Sequence, residues 1–473
     1  MKITFASAWT ALAVSFGALT IISGCMVGPD YKPPKTEAPP AWSEVTNVSA
    51  AAETRLTSNA VDMAQWWTRF HDPKLIGLVQ AALATNLDVQ LAEALLREAR
   101  AVRGKDAGGL WPSVTVSGSV TRSGTVNGVS YDAAVNELGA GALWNLDFFG
   151  VTRRQVESDD AGIQAAQENL YGAQVTLASE VALDYIQVRS AQEQIAIAQT
   201  NLQSELHTAE VTREKAAAGF VSALDQANAE AEVATTAATI PPLEITIRQN
   251  IFALSILLDR PPAALLEDLS KPGAVPLAPP EVPVGLPSDL LRRRPDIRAA
   301  EANLHAAAAL IGVAVADFYP QFSLTGTLNY ESTSTRDMFA GPNGIWSAGP
   351  QVSWPIFSGG SIISNLRLQK AATDAAYITY QKTVLAAFAD VESYLVAFTK
   401  EWDHRKALSD AVVLNRRALV LSQQLYQAGT EEFLTVLDAE RSLLASETAL
   451  AQSRQAISSD LVNIYRALGG GWE

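Results

Sequence analysis

The chain has one cysteine in 473 residues, Cys25, so it forms no internal disulfide and builds no cysteine metal site. Histidine is nearly as scarce. His71, His207, His305 and His404 stand singly, with no metal-ligand spacing and no partner nucleophile, so they read as surface or packing residues and not as the parts of an enzyme. Clustered positive charge is also missing. The net charge is −15 and the only basic cluster is Arg292-Arg293-Arg294, whereas contacts to phosphate need grouped Lys and Arg, so nucleic acid is excluded as a partner. That cluster reads as positive charge where chain segments meet at a helix start, with an anion site as the weaker alternative. Proline is absent from residues 152–218 and again from 361–428, while Ala, Gln, Glu and Leu fill these intervals. Each is long enough, at about 1.5 Å per residue, for a helix of roughly 100 Å.

The one long apolar run, Phe5 to Ile22, follows a single Lys and leads to Ser23-Gly24 ahead of Cys25. This is the layout of an export signal over residues 1–24; a transmembrane anchor is the alternative, for which the run is short. Ile22-Ser23-Gly24-Cys25 resembles the lipobox of bacterial lipoproteins, which implies acyl and diacylglycerol lipid on Cys25 as the mature N-terminus and no other cofactor. Met26 is not the Asp that tends to retain lipoproteins at the inner membrane. Residues 25–61 hold Pro29, Pro33, Pro34, Pro39 and Pro40 among Ser, Thr and Ala, which predicts an extended tether without a core of its own, lying along a partner surface.

The remainder is duplicated. A shift of 208 positions carries Trp111-Pro112-Ser113-Val114 onto Tyr319-Pro320-Gln321-Phe322 and Asp88 onto Asp296. The first repeat occupies 62–259, the second 288–468, and 469–473 is a tail. Between them residues 260–287 carry eight prolines, from Pro261 to Pro287, and form a linker. Each repeat begins with helical segments, then alternates apolar and polar residues over two strands, 113–124 and 136–147 in the first, 321–331 and 345–357 in the second. Leu138, Ala140, Ala142, Trp144 and Leu146 share one parity, as do Trp346, Ala348, Val352, Trp354 and Ile356. An Asn127-Gly128 loop joins the first pair.

Two soluble hairpins would show the same alternation. The polar parity decides between them: Ser, Thr, Gln, Asn and Gly suit a water-filled lumen, and Trp111, Phe148, Phe149, Phe318, Tyr319 and Phe357 sit at the strand ends nearest the helices, as in an interfacial girdle. Four strands cannot close a barrel and lipid forbids an open edge, so the missing strands must come from other copies of the chain.

Helical hairpins follow each strand pair, at 152–259 and 361–468. Apolar residues recur by sevens at Val156, Ile163, Leu170 and Leu177, then slip by four to Val181, Val188, Ile195 and Leu202, a stutter that unwinds a left-handed coil toward straight packing. The second hairpin has a 4,3 seam at Val384, Phe388, Val391, Leu395, Phe398 and Trp402. Gly219 and Gly429 end the ascending helices, and Pro241-Pro242 predicts a kink or break in the first return helix.

Leu291-Arg292-Arg293-Arg294-Pro295-Asp296-Ile297, Tyr319-Pro320-Gln321-Phe322-Ser323-Leu324-Thr325-Gly326, Ala428-Gly429 with Leu434-Thr435-Val436-Leu437-Asp438-Ala439-Glu440, and Leu468-Gly469-Gly470-Gly471-Trp472 occur in this order along the chain. In these motifs and their spacing the chain resembles the TolC-like outer membrane efflux factors, in their lipoprotein, NodT-type branch. The resemblance implies a mainly α chain with a transmembrane β-barrel. It also implies a homotrimer with a twelve-stranded barrel in outer membrane lipid, four strands per copy, continuous with a periplasmic α-barrel tunnel.

It implies the exit duct of a tripartite pump for small molecules such as drugs, joined to a periplasmic adaptor and an inner-membrane RND-type transporter. A type I secretion channel and a purely structural lipoprotein tether are the alternatives, and the tether would not need the strands. Leu434 and Asp438 match residues lining the periplasmic constriction of relatives, with Tyr426 bracing the closed tip. The tip residues Gly219, Ser222, Gly429 and Thr430 would meet the adaptor.

Overall fold

The computed structural model describes residues 26–43, 51–57, 63–124, 133–338 and 344–472; the export signal, Cys25 and the Asn127-Gly128 loop lie outside them. The first half runs β1 (Arg55–Thr57), α1 (Pro73–Thr85), α2 (Leu87–Ala107), β2 (Ser113–Ser123), β3 (Ala133–Leu146), α3 (Val151–Ala217), α4 (Ala223–Ala238) and α5 (Ile240–Leu257). Then come α6 (Leu266–Leu269), β4 (Glu281–Pro283), α7 (Pro287–Arg293), α8 (Pro295–Ala316), β5 (Gln321–Ser332), β6 (Gly344–Ser353), α9 (Ser361–Gln427) and α10 (Phe433–Ala467). The two ascending helices, α3 and α9, have 67 residues each, as expected of a duplication. Two compact units emerge, each built from both halves of the chain: Met1–Lys35, Leu95–Gln167 and Ala299–Gln381 form one, Thr36–Ala94, Glu168–Arg298 and Lys382–Glu473 the other.

The first unit holds a four-stranded antiparallel sheet in the order β2-β3-β5-β6. Its register aligns Val116 with Ala140, Leu328 and Trp346, and Thr115 with Gly141, Thr327 and Ser347. Directly opposed residues share a face. Even-numbered positions of all four strands therefore form one largely apolar face and odd-numbered positions one largely polar face. Val135, Leu143 and Ile345, with Ala133 at the start of β3, are the apolar exceptions on the polar side.

The repeats match in detail. Trp144 Nε1 donates to the Leu110 carbonyl at 2.9 Å, and Trp354 Nε1 donates to the Phe318 carbonyl at 3.0 Å. Phe149 stacks on Tyr319 with centroids 4.6 Å apart.

The expected strand ends need correction. β3 begins at Ala133, three residues early, and β6 stops at Ser353, leaving Trp354, Ile356 and Phe357 outside the ladder. Pro355 has no N–H to give, and Gly359 and Gly360, at φ +60° and +85°, turn the chain into α9.

The N-terminal segment packs into this unit. Val27 N donates to the Phe149 carbonyl at 3.2 Å, Arg154 Nε donates to the Val27 carbonyl at 3.1 Å, and the Arg154 guanidinium pairs with Asp30 and Glu157 at 2.8 and 2.7 Å. Tyr31 stacks on His305 at 4.2 Å.

The second unit is helical. Asp72 caps α1 by accepting from the backbone N–H of Lys74 and Leu75, and Tyr185 Oη donates to its other oxygen at 2.8 Å. The seam residues Val181, Val188, Val391, Leu395 and Phe398 are buried, as their spacing requires. The tether is not coreless in effect: Trp42 is buried against Phe388, and β1 pairs in parallel with β4 of the proline linker, Leu56 opposite Val282. At Pro241-Pro242 the chain breaks. α4 ends, Thr239 intervenes, and the two prolines take up the first turn of α5, where a missing N–H costs nothing.

Arg294 joins segments far apart in sequence, pairing with Asp296 and Asp390 and donating to the Ala467 carbonyl at 3.2 Å. The tail packs closely too. A Cβ on Gly470 would lie 3.0 Å from that of Met63, while Trp472 stacks on Tyr171 at 4.3 Å beneath the Arg298 guanidinium.

Candidate functional site

The helical hairpins turn at Gly219 and Gly429, whose φ values of +80° and +75° lie in the left-handed region that glycine tolerates. Both turns close in the same way. Phe220 N donates to the Lys215 carbonyl at 2.8 Å and Gly219 N to Ala216 at 3.0 Å; Thr430 N donates to Leu425 at 3.0 Å and Gly429 N to Tyr426 at 3.1 Å. These paired bonds satisfy the last carbonyls of α3 and α9 and reverse the chain in two residues. Ser222 then starts α4 with a capping box, exchanging bonds with Asp225. α10 starts at Glu432 without a side-chain cap.

Leu434 and Asp438 are four apart on α10, and both are exposed, Leu434 by 53%. Between them and on the opposite side, Phe433, Val436 and Leu437 are buried with Tyr426, Val412 and Leu419. One stripe of α10 is thus committed to the coil, and the Leu434–Asp438 stripe is left for something else.

Tyr426 is buried and holds the two hairpins together through a residue that the sequence reading passed over. Lys215 Nζ lies 4.0 Å from the centre of its ring and donates to its carbonyl at 3.1 Å, while Phe433 packs at 5.7 Å. An ammonium over an aromatic face is attracted by the ring quadrupole. Its signal was faint, a lysine in the last turn of a helix being ordinary. Around these groups lies a recess of about 840 Å³ lined by Lys215, Phe220, Asp225, Tyr426 and Leu434. Phe220 is 80% exposed beside it. Thr430 stays at the turn, its Oγ1 donating to the Leu425 carbonyl at 3.1 Å.

None of this is catalytic geometry. Among the described residues no group of three His, Asp or Glu side chains has the arrangement of a metal site. His305 is a packing residue against Tyr31 and Glu157, and His404 pairs with Glu401 at 3.0 Å.

A family model described as outer membrane efflux protein matches residues 78–258 and again 286–470. The chain is 34% identical over 457 residues to nodulation protein T of Rhizobium leguminosarum bv. trifolii, covering 96% of both. It is 32% identical over 465 residues to the toluene efflux pump outer membrane protein TtgC of Pseudomonas putida, covering 96% of this chain and 94% of the relative. Among solved structures, the outer-membrane channel OprN superposes with a TM-score of 0.85 at 36% identity, over 95% of this chain and 100% of that one. The CmeC outer membrane channel of Campylobacter jejuni gives 0.85 at 25% identity, over 95% and 96%.

Proposed function

This chain belongs to the outer membrane efflux protein family and is a non-enzymatic outer membrane exit duct with a periplasmic extension; from that premise we propose that it works as a homotrimer with its gate at Leu434 and Asp438. The observation that carries the trimer is the register, which gathers one apolar and one polar face from both repeats and leaves β2 and β6 as edges. Unpaired edges are not tolerated in lipid. Because β2 and β6 run in opposite senses, the β6 edge of one copy meets the β2 edge of the next as another antiparallel pair. Two copies would give eight strands, a barrel filled by its own side chains; three give twelve, with room for water beside the Ser, Thr, Gln and Asn of the odd-numbered face.

In the trimer the exposed Leu434 and Asp438 form one apolar and one acidic ring, and acyl and diacylglycerol lipid on Cys25 adds a second hold on the outer membrane. A periplasmic adaptor grips the tips around Gly219, Ser222, Gly429 and Thr430 and links the duct to an inner-membrane transporter of the RND type. Small molecules are the cargo. Adaptor binding opens the rings to the extent that it contacts the open arrangement better than the closed one.

The test is the double substitution Leu434→Ala with Asp438→Ala. Single-channel conductance of the resting assembly in a planar bilayer should rise, and cells should become sensitive to bulky antibiotics while trimers still form. Unchanged conductance in correctly assembled double-mutant trimers would place the gate elsewhere.

A further inference from the structure

Behind the tips the helical unit buries three glutamates. Glu205 on α3, Glu232 on α4 and Glu440 on α10 are 3%, 4% and 3% exposed. Ala198, Glu205 and Thr212 form a buried series seven apart, so Glu205 stands where the coil's seam calls for an apolar side chain. These polar groups tie three helices together. Thr236 Oγ1 of α4 donates to Glu205 at 2.9 Å, Thr208 Oγ1 of α3 donates to Glu440 at 2.9 Å, and Arg441 Nε of α10 donates to Glu232 at 2.7 Å. The second carboxyl oxygen of Glu205 is buried without a partner among the described residues.

The groups facing the cluster are Glu205 and Thr208 from α3, Glu232 and Thr236 from α4, Gln423 from α9, and Glu440 and Arg441 from α10. Three carboxyls thus meet one guanidinium. That guanidinium pairs with Glu232 and is half exposed, so it leaves Glu205 and Glu440 uncompensated. All three glutamates are already buried within a single chain.

We propose that this seam is a proton-linked latch: protonated Glu205 and Glu440 hold α3, α4 and α10 together behind the tips, and loss of those protons drives the helices apart. A buried carboxylate without a counter-ion is held against both desolvation and its neighbours' charge. Burial, followed by the Glu440 and Glu232 charges, pushes the Glu205 carboxyl from 4.5 up to about 7, against the opposing bond from Thr236. Burial also raises that of Glu440. The closed seam therefore binds more protons than the open one between pH 4.5 and about 7. Its stability is greatest below that window and falls as pH rises through it.

The latch itself does not depend on where the duct narrows. Its effect on conduction rests on the gate reading, since Glu440 lies two residues beyond Asp438. Hydrogen exchange of the α10 amides in residues 433–444 separates the two, measured on the full-length assembly at pH 5 and pH 8. Comparing variant with wild type at one pH cancels the intrinsic rate.

Glu205→Gln keeps the acceptor for Thr236 and cannot ionise. Relative to wild type, its amides should be slowed at least roughly threefold more at pH 8 than at pH 5. Glu440→Gln should do the same if the first variant assembles poorly. His207→Gln removes the exposed imidazole nearby and should match wild type at both values. A variant-to-wild-type ratio independent of pH in both Gln variants, or the same shift in His207→Gln, would overturn the latch. Unchanged conductance in Leu434→Ala/Asp438→Ala trimers, beside a pH-dependent exchange ratio, would remove the gate reading and leave the latch standing.

Discussion

Gly28 has room for no side chain. Its φ is +91°, and a Cβ would lie 2.5 Å from Gly312 Cα, while a Cβ on Gly312 would lie 2.8 Å from Arg154 Cδ. Gly28→Ala should therefore lift the segment from Met26 to Tyr31 off α3 and α8. Limited proteolysis should then cut near Tyr31 in the variant and spare the wild type, while mass spectrometry still finds acyl chains on Cys25 in both. Equal protection would mean that the segment is held by other contacts.

Residues of this kind divide into legible and illegible by how far away their partners lie. Gly219 and Gly429 announce their turns locally, because only glycine ends a helix comfortably in the left-handed region. Arg154 and Lys215 do not, since their partners are Asp30 and Tyr426, 124 and 211 positions away. Glu205 lies between the two cases. Its place in a seven-residue series with Ala198 and Thr212 is local, but that the series is buried, and that two more glutamates face it, only the structure shows.

At the scale of elements, period carried most of the information. Alternation picked out all four long strands, and the register then placed their even-numbered residues on one face without exception in direction. The three-residue strands β1 and β4 escaped notice because so short a run has no period to read. A kink or break at Pro241-Pro242 was legible from the proline ring; that it is a break, at Thr239 two residues earlier, follows from the first-turn preference.

The faces make a prediction of their own. Cysteine at Val116, Leu324 or Val352 should react with lipid-phase probes, and at Thr115, Thr325 or Gln351 with water-soluble reagents. Lysine at Leu324 should cost roughly 2–4 kcal/mol near the bilayer midplane and much less at Thr325. Reversed labelling would exchange lumen and lipid.

For the whole molecule, the duplication sets the architecture and the strand count sets the need for partners. Two family matches, over 78–258 and 286–470, correspond to two strand pairs and two helical hairpins, so each copy brings four strands and two hairpins to the assembly. Closure was legible as a requirement because edge strands in lipid have no hydrogen-bond partners. The number of copies did not follow from closure, since both eight and twelve strands close, and came from the family resemblance; the polar face favours the wider barrel. The most direct measurement is the mass of the intact, detergent-extracted assembly that conducts ions in a planar bilayer. Three chains per conducting particle is the predicted result; a conducting particle of one, two or four chains would contradict it.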